Sequence, residues 1–229
     1  MNTHLHSLMR WTAAEVCAFG ATTASGQLRI SINSLTADSV QVFSEDALVA
    51  FDLKGATVTA KGNAVQTNGS SYRMPITEIY LGPSKFTGLA GGILKGGATG
   101  SALLISRESE VTGKRIGVTL ANFRIDYHRK QVLADVTPTG GKTTADQAIY
   151  NFKVLRPMVL EPNAQGKFAL EEVLGDLRFT PETIASLTAA LELDEVAVAV
   201  ISDIDNGKLV QKIDLTLRAP ARTAPYVPL

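Results

Sequence analysis

The sequence has few of the residues from which metal centres and active sites are usually built. Among its 229 residues there is one cysteine, Cys17, and there are three histidines, two of them (His4 and His6) near the N-terminus. A single cysteine excludes an internal disulfide and a cysteine-based metal cluster. Two imidazole nitrogens do not complete a coordination shell. We therefore predict no metal site.

A charge excess and a long apolar run are also missing. Lysine plus arginine equals aspartate plus glutamate at 22 each, so the net charge is zero. Proteins that bind phosphate backbones carry a basic excess, which argues against nucleic acid as a partner. No run approaches the ~20 apolar residues of a membrane helix, so we expect no integral membrane segment. Zero net charge reduces repulsion between copies and favours self-association.

The chain divides by composition into three parts. Residues 1–26 form an expected N-terminal arm, residues 27–218 a single β-rich domain, and residues 219–229 an extended C-terminal tail with three prolines. Glu15 interrupts the apolar part of the arm, which argues against a conventional signal peptide. The composition downstream is nevertheless that of an exported protein, and the two observations disagree.

The stretch Gly117–Val136 predicts a bent strand, a tight turn and a returning strand. Apolar residues alternate with polar ones, which is the pattern of a strand with one buried face. The phase of the alternation changes between Leu120 and Phe123, which predicts a bulge near Ala121-Asn122. The polar residues 128–131 then form the turn.

Similar alternating blocks separated by turn residues occupy most of residues 27–217. They predict a mainly β protein, an antiparallel sandwich or barrel-like sheet. Among the predicted strands are one through Val49, Phe51 and Leu53 and another at Glu195–Ile201. The latter is predicted to continue through a type I′ turn at Asn206-Gly207 into a hairpin.

One helix is predicted near residues 181–191, where it would cover the sheet. Thr180 suits the N-cap and Pro181 the first helical position. Ile184, Leu187 and Leu191 follow at helical spacing. The glycine-rich residues 88–100 are either a mobile loop or a place where another backbone approaches closely, and we favour the loop.

Two motifs resemble ligand loops. Gly140–Thr143 resembles the end of a P-loop, but Val136 replaces the first glycine and no helix pattern follows, so a hairpin loop is predicted. Asp203, Asp205 and Asn206 before Gly207 resemble a calcium loop without its closing glutamate. A turn accounts for the same residues.

No catalytic set can be assembled from the remaining residues. His128, the third histidine, lies in a basic turn and is predicted to be exposed. The pairs Glu108/Glu110 and Glu171/Glu172 are expected on solvated faces. We therefore predict a non-enzyme with no catalytic residues and no cofactor, and the residues that would bind a ligand stay unassigned.

Three segments, in order, carry a family resemblance: GVTLANFRIDY, VLADV and LRFTPETIASLTAAL. In this order they resemble HtaA-type domains of bacterial surface proteins. Such domains are β-rich, and some bind haem, so the resemblance implies an envelope or surface protein. It assigns no site residue, since none of Tyr72, Tyr80, Tyr127 and Tyr150 is matched to a haem ligand.

Two hypotheses of function follow. The first is a non-enzymatic structural subunit, a cell-surface, fibre, shell or virion component that forms homo-oligomers through the terminal arm or tail. The alternative is an envelope binding module for an apolar small ligand such as haem or lipid. Both place the protein outside the cell or in the cell envelope.

Overall fold

The described part of the protein is mainly β, with thirteen strands and three short helices. The computed structural model describes residues 22–24, 27–81, 93–162 and 168–228. The strands are β1 (Thr22–Ala24), β2 (Gln27–Ser31), β3 (Leu35–Val42), β4 (Thr57–Gly62), β5 (Val65–Asn68), β6 (Ser71–Pro75), β7 (Glu78–Leu81), β8 (Ile93–Glu108), β9 (Arg115–Asp126), β10 (Gln131–Pro138), β11 (Thr144–Pro162), β12 (Phe168–Phe179) and β13 (Lys208–Leu217). The helices are α1 (Glu45–Leu53), α2 (Pro181–Leu191) and α3 (Glu195–Asp203).

All the described strands join one antiparallel sheet that curls into a half-barrel, which is called the barrel below. The strand order is β1-β2-β7-β8-β9-β10-β11-β12-β13-β3-β6-β5, and β4 pairs with β8. β6 pairs with β3, and β7 pairs with β8, although only Ile76 and Thr77 separate β6 from β7. At this junction the Ile76 amide donates to the Ala37 carbonyl, and the Thr77 amide donates to the Gly97 carbonyl, both at 2.8 Å. The predicted barrel-like antiparallel fold is confirmed.

The predicted central hairpin is formed by β9 and β10. The β9–β10 register shifts between Leu133 and Asp135, whose partners are Arg124 and Ala121. Asn122 lies in the skipped segment with φ 54°, a left-handed conformation that asparagine tolerates better than most residues. The predicted bulge is therefore present.

The predicted covering helix is α2. The Thr180 hydroxyl accepts the Thr183 amide at 3.3 Å and donates to the Ala148 carbonyl of β11 at 2.6 Å. Leu187 and Leu191 are buried. The cap thus both starts the helix and ties it to the sheet.

The strand predicted through Val49, Phe51 and Leu53 is wrong, because these residues belong to α1. The helix begins after Ser44, whose side chain accepts the Ala47 amide at 3.1 Å. Val49 and Leu53 are exposed. Phe51 packs edge to face on Phe43, at 5.5 Å between ring centroids. The cap and this contact favour helix over the local alternation.

The strand predicted at Glu195–Ile201 is also wrong, since these residues form α3. Asp194 caps the helix by accepting the Ala197 amide at 2.8 Å. Only Ala197 and Ile201, four residues apart, are buried in it. No hairpin is present here: α3 connects to β13. Of the pair Asn206-Gly207 only Gly207 has a positive φ, 101°, so the predicted type I′ turn is wrong as well.

Part of the glycine-rich segment is strand and not loop. Residues 93–100 begin β8, and Gly96 and Gly97 pair with Ile79 and Glu78 of β7. The loop prediction is wrong for these residues. The alternative, a close approach of another backbone, is what the structure has, because β7 pairs directly with the glycines. Residues 88–92 lie outside the described residues, as do residues 1–21 and 25–26 of the predicted arm, with Cys17, His4 and His6.

The tail lies against its own barrel. The carboxamide of Asn63 donates to the Arg222 carbonyl at 2.7 Å. The Ala221 amide donates to the Asn33 carbonyl at 3.1 Å. The described tail has no helix or strand, in line with its prolines.

The barrel interior holds two hydrophobic clusters. The larger cluster includes Tyr150 of β11, Phe179 of β12 and Leu187 of α2. The smaller cluster has as its buried members Ile32, Ala37, Ile76, Ile79 and Ile213. The three helices contribute only to the larger cluster.

Candidate ligand-binding site

An apolar hollow runs inside the barrel. Its described lining is Ser39, Gln41, Phe43, Met74, Ile76, Ile79, Ile93, Gly96, Gly97, Ala98, Leu103, Ile105, Leu120, Phe123, Ile125, Tyr127, Val132, Tyr150, Met158, Leu209, Gln211 and Ile213. The empty space is about 760 Å³ with its open part included, and about 40 Å³ of it is wide enough for the centre of a water-sized sphere. The hollow is therefore narrow.

The hollow lies between the two hydrophobic clusters. Ile76, Ile79 and Ile213 of the smaller cluster line it from one side. Leu103 and Leu120 of the larger cluster line it from the other. A domain usually has one contiguous core packed as densely as an organic crystal. An apolar gap between the main core and a smaller cluster is suited to an apolar ligand.

One end of the hollow is more open than the rest. Ile93, Gly96, Tyr127 and Met158 are only partly buried, whereas most other lining residues are buried. Ile93 starts β8 and Tyr127 follows the end of β9. These residues define the mouth.

A glycine leaves room in the wall near the mouth. Gly96 pairs with Ile79 on one side and with Ile125 on the other, and both isoleucines line the hollow. Directly paired residues share a face of the sheet, so a side chain at Gly96 would enter the hollow. A Cβ added at Gly96 meets no atom within 4 Å. The missing side chain therefore keeps part of the hollow open.

A row of three polar side chains crosses the otherwise apolar interior. Glu172 of β12 pairs in register with Gln211 of β13, which pairs with Ser39 of β3. All three are buried. The Gln211 carboxamide donates to the Ser39 hydroxyl at 2.8 Å. The row supplies hydrogen-bonding groups at one level of the barrel.

Tyr127 connects this row to the mouth. Its hydroxyl donates to Glu172 Oε2 at 2.6 Å, and its ring packs edge to face on Phe152, at 6.2 Å between centroids. Burial raises the pKa of Glu172, and the hydrogen bond from Tyr127 acts in the opposite direction. Burial and the neighbouring carboxylate raise the pKa of Tyr127 well above its ordinary value. Tyr127 therefore remains a neutral donor at physiological pH.

The charge around the hollow has one sign. No lysine, arginine or histidine occurs among the described residues that line it, and Tyr127 and Tyr150 are the ionisable groups there. Glu172, which is 5% exposed, lies directly behind the Tyr127 hydroxyl. A ligand group that reaches this level meets a carboxylate without a neutralising cation in the described lining.

Comparison with known proteins finds structural neighbours of the predicted family. No known family of sequences matches the chain, and no curated protein matches it. The chain is similar to the C-terminal domain of HtaA from Corynebacterium glutamicum, with a TM-score of 0.44 and 11% identity over 79% of this chain and 98% of that chain. It is also similar to the heme binding protein HtaB from the same organism, with a TM-score of 0.46 and 6% identity over 82% and 96%.

The HtaA-type resemblance seen in the sequence thus recurs in the comparison of structures. At 11% and 6% identity it concerns the fold, and no residue of either neighbour is matched to a residue of this chain.

The other residues singled out in the sequence lie away from the hollow. Gly140–Thr143 occupies the turn between β10 and β11, where the Gly141 amide donates to the Pro138 carbonyl at 2.8 Å, so the predicted loop is confirmed. His128 is exposed in the β9–β10 turn, as predicted. Asp205 accepts the Leu177 and Gly207 amides at 2.9 and 2.8 Å, which gives it a structural role.

Glu172 is the site residue that sequence reasoning placed wrongly. It was expected on a solvated face with Glu171, but it points into the barrel, while Glu171 is partly exposed and pairs with Arg156. Strand alternation carries the signal: Leu170 and Leu174 flank Glu172 at a spacing of two, so all three share the inner face.

The described ranges contain neither a metal-binding cluster nor a membrane-spanning helix. There, no three histidine, cysteine, aspartate or glutamate side chains come together as a metal site. Likewise, none of the helices described is long and apolar enough to cross a membrane.

Proposed function

We propose that this protein is a non-enzymatic binding module that holds a slender apolar ligand inside its barrel. The observation that carries the proposal is the hollow between the two hydrophobic clusters, with an open mouth at one end. Ligand sites are typically concave, mainly apolar and provided with a few polar groups that orient the ligand. The row of Glu172, Gln211 and Ser39, with Tyr127, supplies such groups.

The narrow width of the hollow determines which ligands are favoured. Met74 and Met158 line it, and methionine side chains adapt to irregular shapes. A flexible alkyl chain can enter with small side-chain movements. A broad planar ligand would have to separate the strands. A lipid-like molecule is therefore the better candidate, and a location outside the cell or in the envelope belongs to the same proposal.

Self-assembly as a structural subunit receives less support. The described tail hydrogen-bonds to its own barrel through Asn63 and Asn33. These hydrogen bonds use backbone groups of the tail that, under the self-assembly hypothesis, would bind a neighbouring subunit. Light scattering of the full chain at tens of micromolar, about the range in which weak assembly is detectable, tests what remains of it.

A neutral dye tests the binding function. Diphenylhexatriene, a slender neutral dye whose fluorescence rises in apolar surroundings, should bind the purified protein with a one-to-one limit. Gly96→Leu places a side chain in the hollow and should weaken binding at least about tenfold. Gly69→Leu is the matched control, because an added Cβ there also meets no atom within 4 Å but lies in an exposed turn.

Unchanged melting temperatures would show that both variants fold. Equal binding by the wild type and both variants, or no binding by the wild type, would contradict the proposed function.

A further inference from the structure

The polar groups near the mouth differ from those of a site for anionic lipids. A carboxylate or phosphate head requires a cation or several N–H donors. The described lining holds no lysine, arginine or histidine, and one amide donor of the row, that of Gln211, is already directed at Ser39. An anionic head inside the hollow would also lie close to Glu172.

Glu172 has unused capacity to accept hydrogen bonds. An ionised carboxylate can accept about four hydrogen bonds. Tyr127 supplies one of them, to Oε2, and this is the hydrogen bond found for Glu172 within the described residues. A buried charge with a single partner is costly, and a ligand that brings a positive charge would offset that cost.

The position of Glu172 also suits contact with a ligand that enters through the mouth. Tyr127, its partner, lines the mouth, and Gln211, its neighbour in register, lines the hollow. The edge-to-face contact with Phe152 restricts the Tyr127 ring. The carboxylate is thus held at a fixed level where an apolar chain entering the hollow would end in a polar head.

We propose that the ligand of the hollow is a cationic amphiphile, an alkyl chain with a primary ammonium head that pairs with Glu172. The inference rests on the proposed function and names the ligand class. Glu172 contacts the head directly. Tyr127 is a positioning residue, because it acts through Glu172.

Three ligands with the same chain and different heads test this assignment. Dodecylamine, dodecanol and dodecanoate are titrated below the micelle or solubility limit of each against protein loaded with diphenylhexatriene, at about pH 8, where a primary alkylamine is cationic. We expect dodecylamine to bind at least about tenfold more tightly than dodecanol, and dodecanoate to bind most weakly.

Variants test whether Glu172 causes the preference for dodecylamine over dodecanol. Glu172→Gln should bring dodecylamine and dodecanol to within about threefold of each other. Tyr127→Phe keeps the carboxylate and should reduce the preference without abolishing it. Glu171→Gln is the matched control, since it removes the adjacent carboxylate on the outer face of the same strand, and it should keep the wild-type preference.

The outcomes separate the two proposals. If dodecanol and dodecanoate bind as tightly as dodecylamine, or if Glu172→Gln leaves the preference unchanged, the ammonium assignment is wrong and the binding function stands. If none of the three compounds displaces the dye and the dye itself does not bind, the binding function fails, and the assignment fails with it.

Discussion

Asn122 holds the backbone of Tyr226 with both ends of its carboxamide. The nitrogen donates to the Tyr226 carbonyl at 3.1 Å, and the oxygen accepts the Tyr226 amide at 2.8 Å. The same oxygen accepts the Gly100 amide at 3.0 Å. Asn122 lies in the bulge with φ 54°. Its carboxamide therefore makes the two hydrogen bonds to the tail that the backbone of a neighbouring strand would otherwise make.

Replacing Asn122 by alanine should destabilise the protein by more than about 2 kcal/mol. The variant loses three hydrogen bonds to backbone groups and leaves an alanine at positive φ. Urea unfolding measures the change. Asn68→Ala is the control: this exposed residue accepts hydrogen bonds from Ser70, and its loss should cost under about 1 kcal/mol.

A truncation identifies the tail as the source of the effect. In a chain without residues 219–229, Asn122→Ala should cost about 1 kcal/mol less than in the full chain, because the two hydrogen bonds to Tyr226 are already gone. Identical costs in the two backgrounds would show that the contact with the tail contributes nothing to stability.

Gly207 should tolerate no side chain, for a reason that the sequence does not reveal. A Cβ there would lie 2.0 Å from the Val42 carbonyl oxygen and 2.7 Å from the Ser44 amide nitrogen, and φ is 101°. Gly207→Ala should cost more than about 3 kcal/mol of unfolding free energy. Gly55→Ala is the control, since φ is 60° with nothing within 4 Å, and about 1 kcal/mol is expected. Equal melting temperatures for the two variants would contradict the clash.

The strands were largely predictable because their signal is local. Alternation in β9 and β10, together with its phase change, predicted both the hairpin and the bulge at Asn122. α1 and α3 were missed because the apolar residues of each also fit a strand. The competing signals were the caps Ser44 and Asp194, and the structure shows that they prevail.

The hollow could not be predicted in the same way. Its lining comes from strands far apart in the chain, and its emptiness depends on how the side chains fill the barrel. The inner position of Glu172 was readable from Leu170 and Leu174. Its pairing with Tyr127, 45 positions away in the chain, depends on how the strands are arranged in the curled sheet.

Thr180→Ala should cost about 1 to 2 kcal/mol of unfolding free energy. It removes the N-cap of α2 and the hydrogen bond to the Ala148 carbonyl. Thr188→Ala, within the same helix, removes a bond to the Ile184 carbonyl and should change stability by under about 0.5 kcal/mol. Chemical denaturation of both variants checks the difference, and a larger loss in Thr188→Ala would contradict the assigned cap.

Glu172 should give the protein a pH dependence that Glu172→Gln removes. Its pKa is raised in the folded state above the ordinary value of 4.5. The folded state therefore binds the proton more tightly than the unfolded state, and this contribution is complete below the unfolded pKa and lost as pH rises through the folded pKa. At one temperature, the wild type should gain stability relative to Glu172→Gln as the pH is lowered toward 4.5, and this pH window begins where Glu172 starts to bind a proton in the folded state.

The carboxyl groups whose pKa values are lowered in the folded state titrate below the pH window of Glu172. Hydrogen bonds lower the pKa values of Asp135, Asp176 and Asp194 below 3.8, so their contributions are lost only at more acidic pH. Tyr127→Phe should widen the window, because it removes the hydrogen bond that lowers the pKa of Glu172. Urea titrations of the wild type and both variants at several pH values measure these differences. A stability difference between wild type and Glu172→Gln that is constant over the window would show that the carboxyl is not desolvated in the folded barrel.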